Sequence, residues 1–222
     1  MALVSNALVT IEMLRSYIDR EMTGNNTGTL SDDNLALWIN MCTAGAERTC
    51  QRWLGVRTAT VETHPSGHVV GLSTCMCDAP GAYPIRSITS LVLAHKDGSS
   101  ETVPALSQGG SSGWHAYASD LHAGLIYVDG VSPSASDMWQ VTGTFGLLPV
   151  TNGALDADAT VDEHNAYDEL SSAILAWAAQ KAAFPVADDA RVSLDAMTMV
   201  NENNDIPKRV WQVLVHYRRI SL

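Results

Sequence analysis

Cations and cysteines are scarce in this chain. Its 222 residues carry 13 Lys and Arg against 24 Asp and Glu, a formal net charge of −11. That balance opposes tight nucleic-acid binding, because affinity for DNA comes largely from cations that displace its counterions. Four cysteines are too few to staple a chain of this length as a disulfide framework. A reducing cytoplasm is therefore expected, with Cys42 and Cys50 as small core hydrophobes. No apolar run approaches the roughly 20 residues that cross a bilayer, and the densest is Ala173 to Ala179. The stretch Met1 to Val9 lacks the basic n-region of a signal peptide, so neither export nor membrane attachment is expected. Nucleotide chemistry has no support, since neither a P-loop nor a Gly-x-Gly-x-x-Gly fingerprint occurs. Ser, His and Asp are present, but no nucleophile elbow is expected to bring them together. Catalytic residues and cofactors are expected to be absent.

What is present is periodic. Hydrophobic residues make up 46% of the chain and charged residues 17%, the balance of a globular protein with one sizeable core or two small ones. Thr10 predicts the cap of a first helix running to about Met22. Ser31 or Asp32 caps a second, in which Leu35, Ile39, Cys42, Ala46, Cys50 and Trp53 keep helical spacing until a stop at Gly55. From Val56 the period changes. Val56 to Thr63, Ile85 to Leu93, Leu125 to Val128 and Met138 to Thr144 predict a small antiparallel β region, with a hairpin turn at Asp97-Gly98 and an outward loop from Ser107 to Gly113. Leu170, Ile174, Trp177 and Phe184 then mark a helix that Pro185 ends. The expected fold class is α+β, a helical bundle built from both chain ends around the β insertion, divided at 1–56, 57–150 and 151–222.

Charge is distributed unevenly along this pattern. Residues 151–205 hold eleven acids against Lys181 and Arg191, whereas 206–222 hold Lys208, Arg209, Arg218 and Arg219 and no acid. In that last segment Pro207 suits a first helical turn, and Val210, Leu214 and Tyr217 recur at i, i+4 and i+7 as one apolar stripe. With Trp211 as an interface anchor, the segment reads as a docking helix. The alternative is a solvated helix whose basic end complements its dipole. Asp156, Asp158, Asp162, Glu163, Asp168, Glu169, Asp188 and Asp189 read as a solvated acidic surface, the alternative being a divalent-cation site at the paired members. His64, His68, Cys75 and Cys77 supply the ligand types of a structural zinc site. Pro65 and Gly67 break the helix that such a His pair needs, and one residue between the cysteines is too tight, so no metal is expected. Trp38, Trp53 and Trp177 fall on helical apolar stripes. Trp114 and Trp139 fall in the β region, where an aromatic can anchor a neighbour.

Five segments in order carry a resemblance. They are Gln51-Arg52-Trp53-Leu54-Gly55, Tyr83-Pro84-Ile85-Arg86-Ser87-Ile88-Thr89-Ser90-Leu91, Val141-Thr142-Gly143-Thr144-Phe145-Gly146, the helix at 168–184, and Ile206-Pro207 through Arg219. Together they resemble the head–tail connector, or adaptor, family of tailed bacteriophages and gene-transfer particles. The match departs from short members of that family at 64–82 and 97–124, which look like β insertions, and in the acidic segment 185–205. The resemblance implies a structural virion protein without an active site. Its subunits would form a homo-oligomeric, dodecameric ring under the portal protein, joined on the tail side to a stopper or tail-completion protein. It would sit in the virion neck after assembly in the bacterial host cytoplasm. The helical bundle would supply subunit packing, and the C-terminal region would face the portal through Lys208, Arg209, Val210, Trp211, Leu214, Tyr217, Arg218 and Arg219. An acidic channel wall would let duplex DNA pass without tight binding. Two other classes stay open: another neck ring protein, such as a stopper or tail-completion protein, and a zinc-containing or hydrolytic enzyme domain.

Overall fold

The computed structural model describes residues 2–4, 7–21, 30–72, 80–108, 110–183 and 206–218. These residues form an α+β fold of five helices and several antiparallel sheets. The chain separates into two units, Met1–Cys50 with Val150–Leu222, and Gln51–Pro149.

Helix α1 (Ile11–Glu21) begins where Thr10 Oγ1 accepts the Met13 N–H at 3.1 Å, and α2 (Asp32–Cys50) begins where Ser31 Oγ accepts that of Asn34 at 3.3 Å. Each cap satisfies an amide that its helix leaves unpaired. Along α2, Leu35, Ile39, Cys42, Ala46 and Cys50 are buried as one face. The helix stops at Cys50, short of the Gly55 expected from the spacing. Gln51 takes φ 57, the left-handed conformation that ends helices, although it is not a glycine. Trp53 therefore leaves the helical stripe and, within the unit Gln51–Pro149 to which both belong, meets Phe145 edge-on at 5.9 Å. Trp38 is half-buried rather than a core residue.

The unit Gln51–Pro149 contains two sheets. The first holds β1 (Arg57–Thr63), β7 (Met138–Phe145), β3 (Ile85–Ala94) and β4 (Ser100–Val103) in the order β1-β7-β3-β4, all antiparallel. The second holds β2 (Val69–Gly71), β6 (Leu125–Asp129) and β5 (Gly113–His115) in the order β2-β6-β5. One core lies between them. Leu91, Leu93, Trp139, Val141 and Phe145 meet Val70, Ile126 and Val128 there. Trp139 is 1% exposed, so it is a core residue and not an anchor for a neighbour, while Trp114 packs partly buried against the same core. The outer face of the first sheet is hydroxyl-lined: Thr60 pairs with Thr142 at 2.9 Å and Ser87 with Thr144 at 2.6 Å. This alternation of apolar and polar positions is what the strand period dictates when one face is buried. Gly98 (φ 87) turns the β3–β4 hairpin, as Asp97-Gly98 predicts. A short α3 (Ala118–Ala123) completes the unit by packing on β3 and β6.

The chain then returns to the helical unit. Val150 and Thr151 form β8, Ala154 and Leu155 form β9, and Asn152 (φ 51) with Gly153 (φ 79) turns between them. Helix α4 (Val161–Ala183) starts seven residues before the helix expected at 168–184. The reason is a capping box: the Thr160 N–H donates to Glu163 Oε2 at 2.8 Å while the Glu163 N–H donates to Thr160 Oγ1 at 3.3 Å. Phe184 and Pro185 lie outside the described residues. Helix α5 (Lys208–His216) follows, with Pro207 at its N-cap rather than in its first turn. Helix α4 packs against α1, α2 and α5, and Leu14, Leu170, Ile174 and Leu214 are fully buried in this unit.

Candidate assembly interface

Helix α5 is amphipathic, and its two faces have different fates. Val210 is 3% exposed and Leu214 fully buried. Their stripe packs within the chain's own bundle, against α4 and α2, and the Cys50 thiol donates to the Leu214 carbonyl at 3.3 Å. The apolar stripe of the docking expectation is thus already covered by this chain, because i, i+4 spacing marks a face that seeks burial without saying whose surface buries it. Tyr217 belongs to the same stripe. Its hydroxyl donates to Glu169 Oε2 on α4 at 2.7 Å, and burial, with that carboxylate beside it, pushes its ionisation well above the usual tyrosine range.

The other face stays in water. Lys208, Trp211 and Arg218 are exposed and Val215 half-buried, at spacings of three and four that put them on one side of the helix. Trp211 is 43% exposed, an unusual state for so large an aromatic. Arg209 turns elsewhere and lines a groove between α4 and α5 together with Ala173, Ala176 and Val213. Arg219 lies outside the described residues.

Several of the acids have local work. Glu163 closes the α4 capping box and Glu169 accepts from Tyr217. Asp162 and Glu163 also occupy the first turn of α4, where the helix dipole favours negative charge. Asp156, Asp158, Asp162 and Asp168 are exposed, and Asp188 and Asp189 lie outside the described residues. Among the described residues no group of three or more His, Cys, Asp or Glu is placed to hold a metal ion. His64 and His68 are both exposed on the turn before β2, and Cys75 and Cys77 lie outside the described residues. Gly109 to Gly113 has Gly-x-Ser-x-Gly spacing. Its Ser111 is exposed in a loop that enters a strand, whereas a nucleophile elbow sits on a sharp strand-to-helix turn.

No family model and no curated protein matches the chain. Among solved structures, it superposes on a chain from the neck of an empty gene transfer agent (GTA) particle, a structure computed with C6 symmetry. The TM-score is 0.62 at 17% sequence identity, over 100% of this chain and 95% of that one. This fold occurs in a GTA neck. The likeness extends over both units.

Proposed function

We infer that this chain is a structural protein of a phage-like particle neck: a head–tail connector that forms a ring beneath the portal, continues the DNA channel and links capsid to tail. The full-length fold likeness to a neck chain carries the reading, and the ordered segments that resemble the connector family support it. That the neck structure was computed with C6 symmetry supports a closed ring, in which each copy uses two different surfaces to meet its neighbours.

Docking on the portal falls to the exposed face of α5, Lys208, Trp211, Val215 and Arg218, since Val210 and Leu214 are buried in the bundle. Trp211 supplies the anchor and the cations steer the approach. The exposed acids Asp156, Asp158, Asp162 and Asp168 suit a channel wall that repels a phosphate polymer and so does not grip it. Co-sedimentation of the purified chain with portal-bearing, DNA-filled heads tests this reading. Attachment is expected, with Lys208→Gln plus Arg218→Gln slowing it and flattening its salt dependence, and Trp211→Ala speeding release. Bare heads alongside decorated tails would instead make the chain a stopper or tail-completion protein.

A further inference from the structure

We propose that the groove between α4 and α5 receives helix α2 of a second copy of this chain, a contact that rests on the ring reading above. The groove has a volume of about 450 Å³ and an apolar floor of Ala173, Ala176, Val210 and Val213. Its lining also includes Asp168 and Glu169 from α4 and Arg209 from α5. Tyr217, just past the end of α5, reaches Glu169, while every α4 residue in the lining lies at or beyond 168. Helix α5 therefore runs antiparallel to α4. The two acids mark one end of the groove, and Arg209 marks the other, near Ala176.

A ridge that fits this groove lies on the outer side of α2. Met41 is 51% exposed there. Half-buried Leu37 and exposed Met41, Ala44 and Arg48 follow helical spacing on the side opposite the buried stripe of Leu35, Ile39, Cys42, Ala46 and Cys50. Ala44 on the ridge and Ala173 and Ala176 in the floor let two helices approach closely, and methionine adapts its shape to an irregular floor. The axial distances agree as well. Seven residues separate Met41 from Arg48 and seven separate Ala176 from Glu169, about 10.5 Å in each helix at 1.5 Å per residue. With α2 of one copy antiparallel to α4 of the next and Met41 over Ala176, Arg48 comes level with Asp168 and Glu169. The reverse orientation would set Arg48 on the Arg209 side and forfeit that match. Groove and ridge are different surfaces of one chain, so the contact is heterologous and repeats around a ring.

A charge swap in the full-length chain tests the contact. Arg48→Glu and Asp168→Lys are made singly and together, each variant checked for helix content by circular dichroism. Association is followed by light scattering over a concentration series and by the number of copies bound per portal. Each single change is expected to weaken association between copies roughly tenfold, and the double change to restore most of it. Met41→Asp, at an exposed position, is expected to weaken it similarly without unfolding the chain. If the unaltered chain forms rings and all three single variants form them equally well, the groove is not the contact and the ring reading survives. If the unaltered chain stays monomeric both in solution and on portals, the ring reading fails and this contact fails with it.

Discussion

A methyl group on Gly45 would stand 2.6 Å from Cη2 of Trp177, closer than real Cβ atoms come to other heavy atoms. Glycine in an exposed helix costs about 1 kcal/mol relative to alanine, so on propensity alone Gly45→Ala would stabilise α2. The indole on α4 is rigid and cannot yield. Gly45→Ala is therefore expected to destabilise the helical unit by roughly 1–3 kcal/mol, the usual cost of overpacking, in chemical denaturation. Tyr217 gives a second test, with a sign in pH. Its folded ionisation lies above the unfolded value of about 10. The stabilisation from its neutral hydroxyl is thus whole below pH 10 and is lost as pH rises through the folded value. Tyr217→Phe is expected to cost about 1 kcal/mol at pH 7 and progressively less above pH 10. Stability curves for the two proteins that stay parallel at alkaline pH would mean that the Glu169 hydrogen bond does not help to hold α5 in place. Neither contact is legible in the sequence, because both depend on which helices become neighbours.

Elements are more legible than contacts. The β1, β3, β6 and β7 strands lie within about two residues of the runs that predict them, because each is long enough to show its alternation. Strands β2, β5, β8 and β9 have two or three residues each, too few for any period to emerge. The β8–β9 hairpin is announced only by Asn152-Gly153, a turn pair that adopts the positive φ values it favours. Thr160 and Glu163 likewise spell a capping box three residues apart, a stronger signal for the start of α4 than the apolar spacing that follows. The terminal helix is legible as an amphipathic helix, but the owner of its apolar stripe is not, since hydrophobic spacing is the same for an internal and an external partner. This distinction has a measurable consequence. Leu214→Ala is expected to destabilise the helical unit by about 2–5 kcal/mol, the range for a buried leucine. Lys208→Gln and Arg218→Gln, on the exposed face, are expected to change stability by less than about 0.5 kcal/mol. Equal effects from both sets, read by thermal melts, would contradict the assignment of the two faces.

At the scale of the whole molecule, charge and shape act together. A chain of net charge −11, repeated around a ring, gives a field that screening over ~8 Å does not remove from the surface that bears it. The intact protein is expected to leave duplex DNA unshifted in a gel at physiological salt, and a shift there would contradict a non-adhesive channel. Fold class is legible from the order of periods, helix then strand then helix, which forces residues of both chain ends into one helical unit. The role in a particle that we propose rests on resemblance alone, because a structural ring would have no reacting groups for a sequence to display. Electron microscopy of portal-bearing heads mixed with the purified chain tests that role most directly. A closed ring of this chain seated on the portal vertex, with its α5 helices toward the portal, is the expected image. Heads whose portal vertices stay bare at saturating protein would contradict it.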